Sequence, residues 1–99
     1  MATGTATIDF GAFPGSTDTS LAITGQAAIV SGTLVEAWIR PVATADHTAD
    51  EHWVEAPVVS AGNIVAGTGF TIYAHVGEDA ARIKGSRLYG QWTVAWAWV

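Results

Sequence analysis

The chain has 99 residues, of which 49% are hydrophobic and 13% are charged, and its formal net charge is −5. This length predicts a single domain over residues 1–99. Four basic residues against nine acidic ones argue against a nucleic-acid partner, because a phosphate backbone attracts Lys and Arg. The chain has no cysteine for a disulfide framework. Its first residues lack the basic and long apolar runs of a signal peptide or membrane span, so we expect neither.

Short stretches in which apolar and polar residues alternate recur along the chain. Alternation with a period of two is typical of a β-strand that buries one face. In the first half it predicts strands over residues 5–13, 19–24 and 34–42, with a short apolar segment over 28–30. The predicted core face of the third strand consists of Val35, Ala37 and Ile39. Its other face carries Trp38 between Glu36 and Arg40, so we expect that face to meet water or an interface.

The second half opens with a polar loop over residues 43–52, which has room for one helical turn. The alternation then predicts strands over 53–60, 64–66 and 70–76, with turns at 61–63 and 67–69. A second long loop follows over residues 77–87.

The final stretch, residues 89–99, is the predicted centre of the fold. Its alternation places four large side chains on one face: Trp92, Val94, Trp96 and Trp98. Such a face must be covered, either by a second sheet or by another subunit. Six to eight short strands with glycine turns between them, and no extended helical periodicity, indicate an all-β fold of the antiparallel β-sandwich type.

The densest polar cluster lies in the first long loop and is the candidate binding site. Its residues are Asp46, His47, Asp50, Glu51 and His52, followed by Trp53. Carboxylates and imidazoles this close can ligate a divalent metal, but two histidines five residues apart match no metal-binding signature. We therefore predict a solvated or interface loop, with no metal and no cofactor. Trp53, at its edge, is the best candidate for an exposed ring that could stack on a sugar.

The apolar composition and low charge also predict a homo-oligomer. The predicted subunit contacts are Arg82, Lys84 and Arg87 in the second loop, and Trp92, Trp96 and Trp98 in the last strand. In this interpretation, the basic loop of one subunit meets the acidic loop of its neighbour, which would complement charge across the boundary.

No catalytic motif is present in the sequence. It contains no nucleophile elbow, no phosphate loop and no cysteine–histidine pair. Glu36 and Glu55 lie on neighbouring predicted strands and could form a glycosidase pair. Strand carboxylates more often meet a basic residue across the sheet, so we predict that the protein is not an enzyme.

Three segments give the chain a resemblance to a known family. They are Phe10 with Phe13 in the opening strand, Gly69-Phe70-Thr71-Ile72, and Val94-Ala95-Trp96-Ala97 in the closing strand. In these segments the chain resembles small virion proteins of tailed bacteriophages. More broadly, it resembles the H-type lectin-like β-sandwich of phage tail-fibre and baseplate proteins.

The resemblance implies a structural protein of the virion, associated with the tail or fibre or decorating the capsid. It also implies a homotrimer that contacts other virion proteins. The alternative hypothesis is a carbohydrate-binding module that recognises a bacterial surface glycan. The sugar-contacting residues of the lectins are not located by motif in this sequence.

Overall fold

The computed structural model describes residues 2–77 and 87–99. In this part of the chain, six strands and one helix follow one another in this order: β1 (Ala2–Asp9), β2 (Asp18–Ile23), β3 (Val35–Ile39), α1 (Ala49–Val54), β4 (Val58–Val65), β5 (Gly69–His75) and β6 (Gln91–Trp98). No helix among these residues is long and apolar enough to cross a membrane.

The strands form two antiparallel sheets of three strands each. Sheet 1 has the order β1-β6-β3, and sheet 2 has the order β2-β5-β4. The two sheets share one apolar core, to which all six strands contribute. Its fully or almost fully buried members are Ile8, Phe10, Ile29, Ala37, Phe70, Ile72, Ala74, Trp92, Val94 and Trp96. The predicted all-β antiparallel sandwich is confirmed.

Strand β6 lies at the centre of sheet 1, as the sequence predicts. Its inward residue Trp96 stands opposite a small residue of each neighbouring strand, Gly4 on one side and Ala37 on the other. A Cβ atom on Gly4 would lie 2.4 Å from the Trp96 ring, so the indole occupies space that only glycine leaves free. The Trp96 ring therefore fills the core without displacing β1.

Two predicted elements require correction. The strand predicted over residues 53–60 is wrong in its first half, because Trp53 and Val54 belong to α1 and the strand begins only at Val58. The turn predicted over 61–63 is instead an irregularity within β4. The pairing register shifts between Gly62 and Val65, and Asn63 adopts a positive φ of 50°. The segment 28–30 forms no strand, although Ile29 is buried in the core.

Candidate functional site

Helix α1 begins at a capping box. The Glu51 N–H donates to the Thr48 hydroxyl at 3.3 Å, and the Thr48 N–H donates to Glu51 Oε1 at 3.3 Å. Polar residues at this spacing mark a helix start, which is why the loop becomes helical. Because a helix of six residues is too short to be stable alone, its order depends on contacts with the sheets.

The segment that precedes α1 is fixed to the start of β6. The Thr44 hydroxyl donates to the Gln91 carbonyl at 2.8 Å, and the Gln91 N–H donates to Asp46 Oδ2 at 2.8 Å. Gly90 has a positive φ of 73°, and a Cβ atom there would lie 2.7 Å from Asp46. The close approach of Asp46 therefore requires glycine at position 90.

His47 is buried, and its ring stacks on Trp92 with the ring centroids 3.9 Å apart. Its Nδ1 lies 2.7 Å from Glu51 Oε2, and its Nε2 lies 2.6 Å from the Tyr89 carbonyl oxygen. A carboxylate and a carbonyl can only accept hydrogen bonds, so both ring nitrogens must donate. The contacts are therefore those of a protonated imidazolium, held against the carboxylate of Glu51.

His52 is also buried, but its contacts are those of a neutral ring. Its Nδ1 lies 2.7 Å from the Thr48 carbonyl oxygen, to which it donates. Its Nε2 accepts from the Thr93 N–H at 2.9 Å. The hydrogen therefore sits on Nδ1. Strand β3 ends at Ile39. The Thr93 N–H of β6 points to the side on which β3 lies, and His52 accepts its hydrogen bond just beyond the end of that strand.

The contacts between His47 and Glu51 shift the pKa of both groups. Burial lowers the pKa of His47, but hydrogen bonds to Tyr89 and Glu51 and the nearby charges of Glu51 and Asp46 outweigh it, so the pKa is raised above 6.5. The hydrogen bond from His47 is the largest of the effects that lower the pKa of Glu51 below its usual 4.5. Each shift favours the charged form of its group in the folded protein.

These shifts predict a pH-dependent stability. A raised histidine pKa stabilises the fold fully below pH 6.5, and this contribution is lost as the pH rises through the folded-state pKa. A lowered glutamate pKa stabilises the fold above pH 4.5, and this contribution is lost as the pH falls. We therefore expect the melting temperature to fall as the pH is raised from about 6 to 9.

Thermal melts of Glu51→Gln and His75→Gln provide the comparison. Glu51→Gln should flatten this part of the profile, because the imidazolium loses its carboxylate. His75→Gln, which changes an exposed histidine on β5, should retain the slope of the parent protein. A parent profile that is level from pH 6 to 9 would show that His47 is not protonated in the fold.

The predicted binding residues divide into two groups in the structure. Asp46, His47, Glu51 and His52 converge on the beginning of β6, whereas Asp50 and Trp53 face solvent. The prediction of a solvated or interface loop is wrong for the two histidines, because both are buried. Sequence reasoning missed Thr48, Tyr89 and Trp92 as their partners, although the capping-box spacing of Thr48 and Glu51 was a readable signal.

The histidine nitrogens leave no lone pair for a metal. His47 donates from both nitrogens, and the Nε2 lone pair of His52 is taken by the Thr93 amide. Over residues 2–77 and 87–99, no group of three or more His, Asp or Glu side chains is placed to hold a metal ion. The hydrogen bonds of His52 to Thr48 and Thr93 fix α1 on the sheet.

The residues predicted to form the subunit interface do not form one surface in the structure. Arg82 and Lys84 lie outside the described residues, and Arg87 is exposed. The interface prediction for Trp92 and Trp96 is corrected, because both rings are buried in the core of their own chain. Trp98 is half-buried, and its Nε1 donates to Gln26 Oε1 at 2.9 Å.

The glycosidase alternative loses its geometric basis. Glu36 lies on the outer face of β3, but Glu55 is the C-terminal cap of α1 rather than part of a neighbouring strand. The two carboxylates therefore do not face each other across paired strands.

Among the exposed apolar residues of the described part of the chain, two groups are candidate contact surfaces. The first is the end of α1, where Trp53 is 79% exposed and Val54 is also exposed. The second is the outer face of β3 and its start, where Trp38 is exposed between Glu36 and Arg40 and Leu34 is also exposed. No family model, curated protein or solved structure matches the chain.

Proposed function

We propose that this protein is a non-enzymatic structural component of a tailed-bacteriophage particle. It acts by self-assembly and by contacts with other virion proteins, in association with the tail or fibre or as a capsid decoration. The resemblance of the opening, middle and closing segments supports the virion assignment. The exposure of Trp53 on a firmly held helix supports the contact role.

An exposed tryptophan on an anchored helix is well suited to bind a partner protein. Large aromatic side chains dominate the binding energy of many interfaces when a partner buries them. Here the helix that carries Trp53 is anchored by two buried histidines on the inner side. Because the anchored helix loses little freedom on binding, more of the contact energy appears as affinity.

Quantitative mass spectrometry of purified particles that encode this chain tests the proposal. We expect the chain at a fixed copy number per particle. Trp53→Ala, which should fold normally, should lower that number. Tyr73→Ala is the matched control, because Tyr73 is an exposed aromatic residue on β5. The absence of the chain from intact particles would contradict the proposal.

The exposed Trp53 ring also supports a second candidate, a carbohydrate-binding module for a bacterial surface glycan. An exposed ring can stack on the apolar face of a sugar, and the nearby carboxylates of Asp50 and Glu55 can accept hydrogen bonds from hydroxyl groups. A glycan array distinguishes the candidates. Specific binding that Trp53→Ala abolishes would favour the module, and an array without binding would favour the structural role.

On the basis of the resemblance, we propose a homotrimer as the assembled form. Light scattering at micromolar concentration gives the mass in solution, and the mass of a single chain would count against self-assembly.

A further inference from the structure

The pairing register of sheet 1 shows which side chains share its outer face. Strand β6 directs Trp96 into the core, so its two neighbours in sequence, Ala95 and Ala97, point to the outer side. Ala95 pairs with Thr5 of β1 and with Trp38 of β3. These three residues form a row across the outer face of sheet 1, which we call the central row.

The rows on either side of the central row carry opposite charges. On one side, Ala97 pairs with Glu36. On the other side, the Thr93 carbonyl accepts from the Arg40 N–H at 3.0 Å. Glu36 and Arg40 are both exposed, and over residues 2–77 and 87–99 neither forms an ion pair. The outer face therefore carries an acid and a base, each two residues from Trp38 along the chain.

Trp38 is the large apolar side chain of this face. It is 44% exposed, whereas the small Ala95 beside it is only 8% exposed. Leu34 and Val42, at the two ends of the same segment, are exposed as well. Exposed apolar side chains that lie together on a surface are typical of contact sites.

We infer that the outer face of sheet 1 packs against the same face of a second copy of this chain, about a two-fold axis that runs along the central row. This inference rests on the self-assembly in the proposed function and deepens it, because it names the surface and the partner. The axis reverses the strand direction, so Glu36 of each copy lies opposite Arg40 of the other and the ion pair forms twice. Only outward side chains take part, and the backbone pairing within each copy is unchanged.

The charges select this orientation of the two faces. Stacked sheets keep their strand directions within about 30° of each other, so a two-fold axis runs either across the strands or along them. An axis along β6 would stack β3 of one copy on β1 of the other, with Glu36 facing Thr3 and Arg40 facing Thr7. Neither charge would then gain a partner, and burying an unpaired charge is costly. The axis across the strands pairs both charges.

The size of the face predicts a reversible dimer. From the usual strand spacing and rise per residue, the face measures about 14 Å across three strands and about 26 Å along the eight residues of β6. This outline is smaller than the roughly 800 Å² that a standard interface buries on each partner. We therefore expect a dimer that dissociates in the micromolar range. Copies held close together in a particle would associate more completely, because their effective concentration is higher.

Analytical ultracentrifugation over a concentration series tests the inference. Glu36→Arg and Arg40→Glu should each weaken the dimer by about tenfold, because each change places like charges opposite each other twice. The double variant Glu36→Arg/Arg40→Glu should restore dimerisation, which also shows that the single changes do not act by unfolding. Glu55→Arg, a charge reversal at the end of α1, is the control and should leave the dimer unchanged.

Chemical cross-linking locates the axis. The chain has no cysteine, so one introduced thiol reports on one position. Thr5→Cys lies in the central row and should be linked to its own copy by a short thiol reagent. Thr7→Cys is the control, because Thr7 is also exposed on β1. It lies two residues from the axis, so its two copies would be separated by about 13 Å more along the strands and should not be linked.

Three results would overturn the inference. The first is a double variant that dimerises as weakly as the single variants, and the second is a cross-link at Thr7→Cys without one at Thr5→Cys. The third is a parent protein that stays monomeric at millimolar concentration. An oligomer that neither charge reversal affects would place self-assembly on another surface and would also overturn it. The proposed virion role is decided separately, by the particle composition described above.

Discussion

Replacing Trp92 with alanine should lower the free energy of unfolding by about 3 to 5 kcal/mol, a large part of the roughly 5 to 15 kcal/mol available to a domain. The indole is completely buried in the core. One of its faces supports the ring of His47, and its Nε1 donates to the Tyr89 carbonyl at 3.2 Å. The substitution therefore leaves a cavity and also removes the support of a buried charged group. Chemical denaturation of the parent and the variant measures the difference.

Trp53→Ala is the matched control for this experiment. The same side chain is removed, but from a site that is 79% exposed, so the expected change is within about 0.5 kcal/mol. Equal losses for the two variants would show that Trp92 does not have the buried position described here.

Deleting residues 95–99 should abolish the cooperative fold. These residues supply half of β6, which pairs with β1 on one side and with β3 on the other. The deletion would leave the backbone groups of both neighbouring strands without partners and would remove Trp96 from the core. Far-ultraviolet circular dichroism and a thermal melt of the truncated chain are the measurements.

Val99→Ala shows whether the truncated chain loses its cooperative fold because the strand is removed or because the final side chain is removed. The Val99 side chain is exposed, and its backbone exchanges hydrogen bonds with Leu34, which the substitution preserves. This variant should melt close to the parent protein. A truncated chain that melts cooperatively at the parent temperature would contradict the central position of β6.

The strands could be predicted where apolar residues alternate strictly with polar ones and only one face of the strand is buried. In β5, for example, Phe70, Ile72 and Ala74 are buried, as their alternation indicates. The helix was less predictable, because Trp53 and Val54 continue an alternating pattern into β4. The capping box and the docking contacts determine their conformation instead. The alternation at Trp53 and Val54 therefore constrains the backbone less than the hydrogen bonds of the capping box do.

The environment of the histidines could not be predicted from the sequence alone. The contact between His47 and Glu51 spans four residues and is local, but the Tyr89 carbonyl that His47 also contacts lies 42 residues away. His52 contacts the Thr93 amide, which is 41 residues away. The burial of each ring and the hydrogen bonds of its nitrogens depend on these distant partners. Composition suggested a polar loop, whereas the fold places its two imidazoles inside.

The two oxygens of Glu51 have different tasks, since Oε1 closes the helix cap and Oε2 holds His47. One carboxylate therefore takes part both in the start of α1 and in its attachment to the core. A six-residue helix has no independent stability with which to survive detachment. The position of the exposed Trp53 therefore depends on the buried contacts that His47 and His52 make with Tyr89 and Thr93, although Trp53 itself lies on the surface.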